Sequence, residues 1–308
     1  MSLLLVAQRR NMEPFKAAIL EVDPNIDVDI WPSVKHPDRV QFAVAWNHPA
    51  GIFKNYPNLK VISSLGAGVD HLMSDDSIPS DIRITRVIVP SLSDQMSDYV
   101  LTAVLNLFRK TEQYIHQQKS VEWSAIKAFD KSELTIGVMG LGELGSNAAH
   151  RLHINGFNVI GWSRSQKEIQ GVQTFMSGKL KEFLNRSNIL VNLLPLTRET
   201  DGILDLDLFK ELNQPAYLIN VARGEHLVEE DLIYALNTNL ISHAVLDVFK
   251  DEPLPESHPF WGSKKITITP HIASITDPAD VAVLLAENYK RALSGLDLIN
   301  EVDKEKGY

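Results

Sequence analysis

Short apolar runs recur along this chain, separated by stretches whose apolar positions follow helical spacing. Over its first 90 or so residues the runs are Leu3–Ala7, Phe42–Trp46, Val61–Leu65 and Ile84–Val87. They read as strands of a small parallel-sheet domain. Ser93 then offers an N-cap to a long helix carrying Met96, Val100, Ala103, Val104, Leu107 and Phe108 at helical spacing. That helix is predicted to run to about Lys119, and a polar arm, Glu122 to Glu133, follows it. From Leu134 the alternation restarts more regularly. Strands are predicted at Leu134–Met139, Asn158–Trp162, Ile189–Leu193, Ala216–Asn220, Ala244–Val248 and Ile266–Thr269. Helices fall between them, at Gly142–Asn155 with Asn155-Gly156 as its C-cap and at Glu229–Asn237. The tail, Pro278 to Ser294, is helical in pattern, and its return to the first domain would make that domain discontinuous.

The strand at 134–139 runs directly into G-x-G-x-x-G, Gly140 to Gly145. In that strand-to-helix context the motif predicts dinucleotide binding. Gly140 suits the tight turn, Gly142 lets backbone approach a pyrophosphate, and Gly145 lets the helix pack closely, with the helix N-terminus facing the phosphates. Six strands with intervening helices fit a doubly wound nucleotide fold. At 308 residues there is chain enough for two cores, and 44% apolar with 22% charged residues is an ordinary globular composition. A net charge of −9 disfavours nucleic acid and acidic membrane as partners. The absence of cysteine excludes disulfides and thiolate metal sites. No apolar run approaches the ~20 residues of a membrane span, and Leu3–Ala7 is too short for a signal-peptide core, so a soluble cytoplasmic protein is expected. His150 and His153 lie three apart on a helix, but no carboxylate accompanies them at ligand spacing, and no metal is expected.

Three further segments close predicted strands of the second domain, at the edge where open α/β sheets bind ligands: Asn220–Gly224, Asp247–Pro253 and Thr269–His271. They bring Arg223, Glu252 and His271 to one place. An arginine fork can grip a carboxylate, a histidine can deliver a proton to a developing alkoxide, and a glutamate can hold the imidazolium. Reduction of a 2-oxo acid needs these parts together with a hydride donor. Each residue has a blander reading: a surface arginine, a satisfied loop histidine, a glutamate in a solvated turn.

Leu65-Gly66-Ala67-Gly68-Val69-Asp70, GLGELG at 140–145, Asn192–Thr197, VARG at 221–224, DVFKDEPLP at 247–255, TPHIAS at 269–274 and the ending Lys306-Gly307-Tyr308 occur in that order. Together they make the chain resemble the D-2-hydroxyacid dehydrogenase family nearly end to end, closest to its glyoxylate/hydroxypyruvate reductase A branch. The resemblance implies two doubly wound parallel-sheet α/β domains with a cleft between them. Residues 1–95 plus 278–308 would form a flavodoxin-like substrate domain, and 96–277 a Rossmann nucleotide domain. It implies Arg223, Glu252 and His271 as the catalytic set. Trp46, Ala67 and Gly68 join Arg223 and His271 as expected substrate contacts; the alternatives are core packing for Trp46 and an ordinary glycine turn for 66–68. Expected cofactor contacts are Gly140, Gly142, Glu143, Leu144, Gly145, Ser163, Arg164, Ser165, Leu194, Pro195, Val221, Ala222 and Asp247. The family also implies a homodimer formed through the helix and arm around 93–123, against purely intramolecular packing of that helix.

The second strand of the nucleotide domain should end, in an NAD-selective protein, on an acid that binds the ribose 2′-hydroxyl. Here it ends Ser163-Arg164-Ser165, with Arg164 standing 19 residues after Gly145 and Lys167 following. Guanidinium and hydroxyl donors suit a 2′-phosphate that a carboxylate would repel, so NADP(H) is the expected cofactor, with NAD(H) possible. The alternative is that Arg164 points into solvent. The expected reaction is reduction of a small 2-oxo acid, glyoxylate or hydroxypyruvate, to the 2-hydroxy acid (glycolate or D-glycerate), with His271 supplying the proton. Formate dehydrogenases share the scaffold but have glutamine where Glu252 stands. The rival class is a dinucleotide-responsive corepressor-like binding module on the same scaffold; Arg164 in place of an acid and the lack of a long disordered tail argue against it.

Overall fold

The structure is a computed structural model that describes residues 1–307; Tyr308, the last residue of the ending quoted above, lies outside the described residues. The chain divides into two compact units, Met1–Ser91 with the chain from Thr276 onward, and Leu92–Ile275.

The first unit opens with β1 (Ser2–Ala7), α1 (Glu13–Val22), β2 (Asp27–Ile30), β3 (Val40–Trp46), β4 (Val61–Ser64), α2 (Asp70–Met73) and β5 (Arg83–Thr85). Its sheet is wholly parallel, in the order β2-β1-β3-β4-β5. This is the flavodoxin-like order, whose switch point lies between β1 and β3. Leu3, Leu4, Leu5 and Val6 are all fully buried, as a strand covered on both faces requires. β2 was not expected from the sequence. It is an edge strand of four residues, and Asp27 and Asp29 break its apolar signal.

The second unit holds all but the first two residues of α3 (Pro90–Arg109), then α4 (Thr111–Lys119), β6 (Thr135–Met139), α5 (Glu143–Ile154), β7 (Asn158–Ser163), β8 (Gln173–Met176), α6 (Leu180–Leu184), β9 (Ile189–Asn192), α7 (Leu206–Lys210), β10 (Tyr217–Asn220), α8 (Glu229–Asn237), β11 (His243–Leu246) and β12 (Ile266–Ile268). Its seven strands are all parallel, ordered β12-β11-β10-β9-β6-β7-β8. This is a doubly wound sheet whose order reverses between β6 and β9, and ligands of such sheets bind beyond the strand ends at that point. One apolar layer on each face closes the core. The chain then returns to the first unit as α9 (Pro278–Ser294), packed on α1 and β3, with Tyr289 edge-on to Phe42.

Two expectations need correction. The long helix starts at Pro90, not after a Ser93 cap; Pro suits a first turn, and Ser93 sits buried inside the helix, where its carbonyl accepts the Ser97 hydroxyl. The helix also does not run unbroken to Lys119. Lys110 takes a left-handed conformation (φ 59°) between α3 and α4. Its ammonium lies 3.5 Å from the Phe129 ring centroid and 3.2 Å from the Tyr217 hydroxyl, contacts that apolar periodicity does not register.

Candidate active site

Thr269, Pro270 and His271 follow β12 directly, and Asp247 follows β11. The turn from 269 to 273 is bound to Asp247 at four points. The His271 N–H donates to the Asp247 carbonyl at 2.8 Å. The Asp247 carboxylate accepts the Thr269 hydroxyl at 2.6 Å and the N–H groups of Ile272 and Ala273 at 2.9 and 2.8 Å. Burial pushes the Asp247 carboxyl upward against these donors and the nearby His271. The turn needs this anchoring because His271 holds φ at 54°, a left-handed conformation costing a non-glycine residue on the order of 1–3 kcal/mol.

Glu252 Oε2 lies 2.7 Å from His271 Nδ1, and Glu252 Oε1 accepts the Phe249 N–H at 3.1 Å. Burial alone would raise the Glu252 carboxyl. The His271 hydrogen bond and charge, the Phe249 amide and the charge of Arg223 outweigh burial and hold it below the ordinary value. Glu252 is therefore an anion at neutral pH, able to fix the imidazole through Nδ1 and to stabilise its protonated form. Arg223 enters from the loop after β10, where its Nη1 donates to the Ala222 carbonyl at 2.7 Å. The next residue must be glycine: a Cβ at Gly224 would lie 2.0 Å from the Phe249 carbonyl carbon, so the Arg223 loop rests directly on the segment leading to Glu252. A carboxylate, its histidine and a guanidinium thus meet in one place on the second unit.

At the switch point, the loop after β6 behaves as its glycines predict. Gly140 takes φ 100°, and a Cβ there would strike the Leu193 carbonyl at 2.5 Å. A Cβ on Gly145 would stand 1.8 Å from the Gly140 carbonyl oxygen, so α5 packs against the loop backbone. Gly142 is different: nothing lies within 4 Å of the position its Cβ would take. It is the N-cap of α5 and supplies no side-chain cap, which leaves the first-turn amides around Glu143, Leu144 and Gly145 facing an open approach. That is what a bound pyrophosphate requires.

The remaining expected cofactor residues sit around the same strand ends. Ser163 closes β7 and donates its hydroxyl to the Ser165 carbonyl at 2.6 Å, while Arg164 and Ser165 stand exposed. Leu194 donates its N–H to Asn192 Oδ1, and the Pro195 carbonyl accepts the Thr200 hydroxyl. Val221 and Ala222 are buried, so only their backbone is suited to a ligand. The Asp247 carboxylate is fully buried and bound to the 269–273 turn.

In the first unit, Ser64 at the end of β4 shapes the Gly66–Gly68 loop. Its hydroxyl donates to the Gly68 carbonyl at 2.6 Å and accepts the Gly66 N–H at 3.2 Å. Trp46, at the end of β3, is half-buried; its ring covers Gly66, where a Cβ would stand 2.9 Å from the indole, and the His71 ring centroid lies 5.2 Å away.

Two buried residues of the second unit open segments quoted from the sequence but were assigned no role there. Asn192 and Asn220 are paired in register as the last residues of β9 and β10, with side chains 3.0 Å apart. Asn192 also accepts from the Leu194 amide, and Asn220 donates to the Arg223 carbonyl at 2.9 Å. The pair joins the loop at 193–195 to the loop that carries Arg223. The same residue type ending consecutive strands was the available signal. Among the described residues no cluster of three metal-ligating side chains occurs, and no helix is long and apolar enough to cross a membrane.

Residues 101–273 match the family described as D-isomer specific 2-hydroxyacid dehydrogenase, NAD binding domain. A glyoxylate/hydroxypyruvate reductase A of Serratia proteamaculans is 39% identical over 305 residues, covering 97% of both chains. One from Yersinia enterocolitica is 39% identical over 273 residues, 87% of both. Among solved structures, a D-isomer specific 2-hydroxyacid dehydrogenase from Xanthobacter autotrophicus Py2, in complex with NADPH and MES, superposes with a TM-score of 0.95 at 37% identity, covering 100% of this chain and 99% of that one. An NADPH-dependent glyoxylate/hydroxypyruvate reductase from Sinorhizobium meliloti, in complex with NADP and sulfate, gives 0.93 at 35% identity over 100% of both chains.

Proposed function

The chain belongs to the D-isomer specific 2-hydroxyacid dehydrogenase family, and we propose that it is an NADPH-preferring reductase of small 2-oxo acids, glyoxylate and hydroxypyruvate foremost. The observation that carries this reading is the 2.7 Å contact of His271 with Glu252, a carboxylate that also feels the charge of Arg223. Arg223 receives the substrate carboxylate through its planar fork. Glu252 holds Nδ1 of His271, so proton delivery to the carbonyl oxygen falls to Nε2. The dinucleotide is held by the loop Gly140–Gly145 and the Ser163–Ser165 segment, with Leu194, Pro195, Val221 and Ala222 lining its path, and when bound it supplies the hydride. The named relatives are reductases and dehydrogenases, which gives the corepressor-like alternative no support.

Steady-state kcat/KM across glyoxylate, hydroxypyruvate, pyruvate and bulkier 2-oxo acids, with NADPH and NADH, tests the proposal. The smallest acids with NADPH are expected to give the highest values. His271→Gln is expected to lower reduction by about 10²–10⁴-fold. Tight NADPH binding with no NADPH oxidation on any of these acids would refute the proposal. We further propose a homodimer through α3, α4 and the arm that follows. Its support is the apolar surface there: Val121 and Trp123 are almost completely exposed, and Leu105, Tyr114 and Ile115 are partly so.

A further inference from the structure

Behind the His271 turn stands a hydroxyl that the chemistry above does not use. Tyr99, on α3, places its phenol oxygen 2.6 Å from Thr269 Oγ1, which is in turn 2.6 Å from Asp247 Oδ1. Elementary counting sets the direction of these bonds. Asp247 also accepts two backbone N–H groups, from Ile272 and Ala273, and so acts as an acceptor. Thr269 has a single hydroxyl hydrogen and must give it to Asp247. The Thr269 oxygen can then only accept from Tyr99, which must be the protonated phenol. Burial pushes the Tyr99 phenol up to about 12, consistent with that role. The neighbours of Tyr99 on α3, Met96, Val100 and Ala103, are buried in the core, so the donor stands on an anchored element.

We propose that Tyr99 and Thr269 are positioning residues whose directed chain, Tyr99 O–H to Thr269 O–H to the Asp247 carboxylate, holds the left-handed His271 turn in the geometry that delivers the proton. The inference rests on the reading of His271 as the proton donor. Neither residue needs to touch substrate or cofactor. Losing the Tyr99 hydroxyl frees the Thr269 hydroxyl to rotate, which loosens one of the three donors that fix the Asp247 carboxylate. The His271 backbone then holds φ 54° with less restraint.

The readout is the single-turnover rate of NADPH oxidation with glyoxylate or hydroxypyruvate, measured beside the binding of NADPH and of the 2-oxo acid. Tyr99→Phe keeps the ring and is expected to slow the turnover about five- to tenfold, with both affinities unchanged within about twofold. Thr269→Val should do the same, and Thr269→Ser should restore the rate because it restores the hydroxyl. The double variant Tyr99→Phe/Thr269→Val should be no slower than Thr269→Val alone, since both remove one chain. A normal rate in Tyr99→Phe, additive losses in the double variant, or a Thr269→Ser as slow as Thr269→Val would each overturn the inference. Should Tyr99→Phe fold poorly, the Thr269 pair decides alone. His271→Gln separates the two readings. If it reduces substrate at close to the unmodified rate, the assignment of His271 fails; if it is slowed about 10²–10⁴-fold while Tyr99→Phe is normal, only the chain fails.

Discussion

In the proposed function, single residues carry the cofactor choice. At the end of β7, Ser163 donates its hydroxyl to the Ser165 carbonyl, so the proposed recognition of a 2′-phosphate would fall mainly on the exposed Arg164 and Ser165. The loop beyond is tied to β8, where the Thr174 hydroxyl donates to the Lys167 carbonyl at 2.6 Å. Arg164→Asp replaces a phosphate-binding fork with a charge that repels phosphate and accepts a ribose hydroxyl. The kcat/KM ratio of NADPH to NADH is expected to fall by at least about tenfold. An unchanged ratio would remove Arg164 from the assignment. At this scale the convergence of Arg223, Glu252 and His271 was legible because each lies beyond a strand of one parallel sheet, and such ends lie together. Tyr99, Thr269, Asn192 and Asn220 were not. Their roles arise from contacts between segments as far apart as residues 99 and 269, and the one local signal, an asparagine ending each of two consecutive strands, does not say what the pair joins.

At the level of elements, the glycine loop and α5 make two different demands on neighbouring positions. A Cβ at Gly145 would meet the backbone of Gly140, so Gly145→Ala must displace the start of α5. A thermal melt should show a loss of about 1–3 kcal/mol, together with weaker NADPH binding. Gly142 has an ordinary φ of −74° and open space at its Cβ, so Gly142→Ala should melt as the unmodified protein does. It should nonetheless bind NADPH at least about tenfold more weakly, because the methyl group occupies the approach of the pyrophosphate. If Gly142→Ala bound NADPH normally, the phosphates would not pass there. Sequence pattern registered α5, α8, α9 and the central strands well, since each buries a regular apolar stripe. It missed β2 and β8, both sheet edges, where four residues bury little: in β8 only Phe175 is fully inside. It also carried the long helix through Lys110, whose left-handed break depends on Phe129 and Tyr217 reaching it from elsewhere.

For the molecule as a whole, βα alternation foretold a small parallel-sheet domain followed by a doubly wound nucleotide domain, because it leaves few other ways to bury continuous apolar strands, while the doubly wound order of the first sheet was expected only from the family resemblance. Association with a second copy is less legible, since it depends on which apolar residues folding leaves outside. Most apolar side chains of α3, Met96, Val100, Val104, Leu107 and Phe108 among them, are spent on the core of the second unit. Leu105 on the same helix, Tyr114 and Ile115 on α4, and Val121 and Trp123 beyond it are instead partly or wholly exposed. An indole fully in water forgoes on the order of 2 kcal/mol of burial, and several such residues on consecutive segments suit a self-complementary surface. Light scattering coupled to gel filtration is expected to give twice the 34.5 kDa chain mass for the unmodified protein. The double variant Val121→Glu/Trp123→Glu should shift toward the monomer at low micromolar concentration while melting at a similar temperature when fully monomeric, because neither side chain contributes to the core. A monomeric unmodified protein at that concentration would rule the dimer out, and a variant that stayed dimeric would move the interface away from this arm.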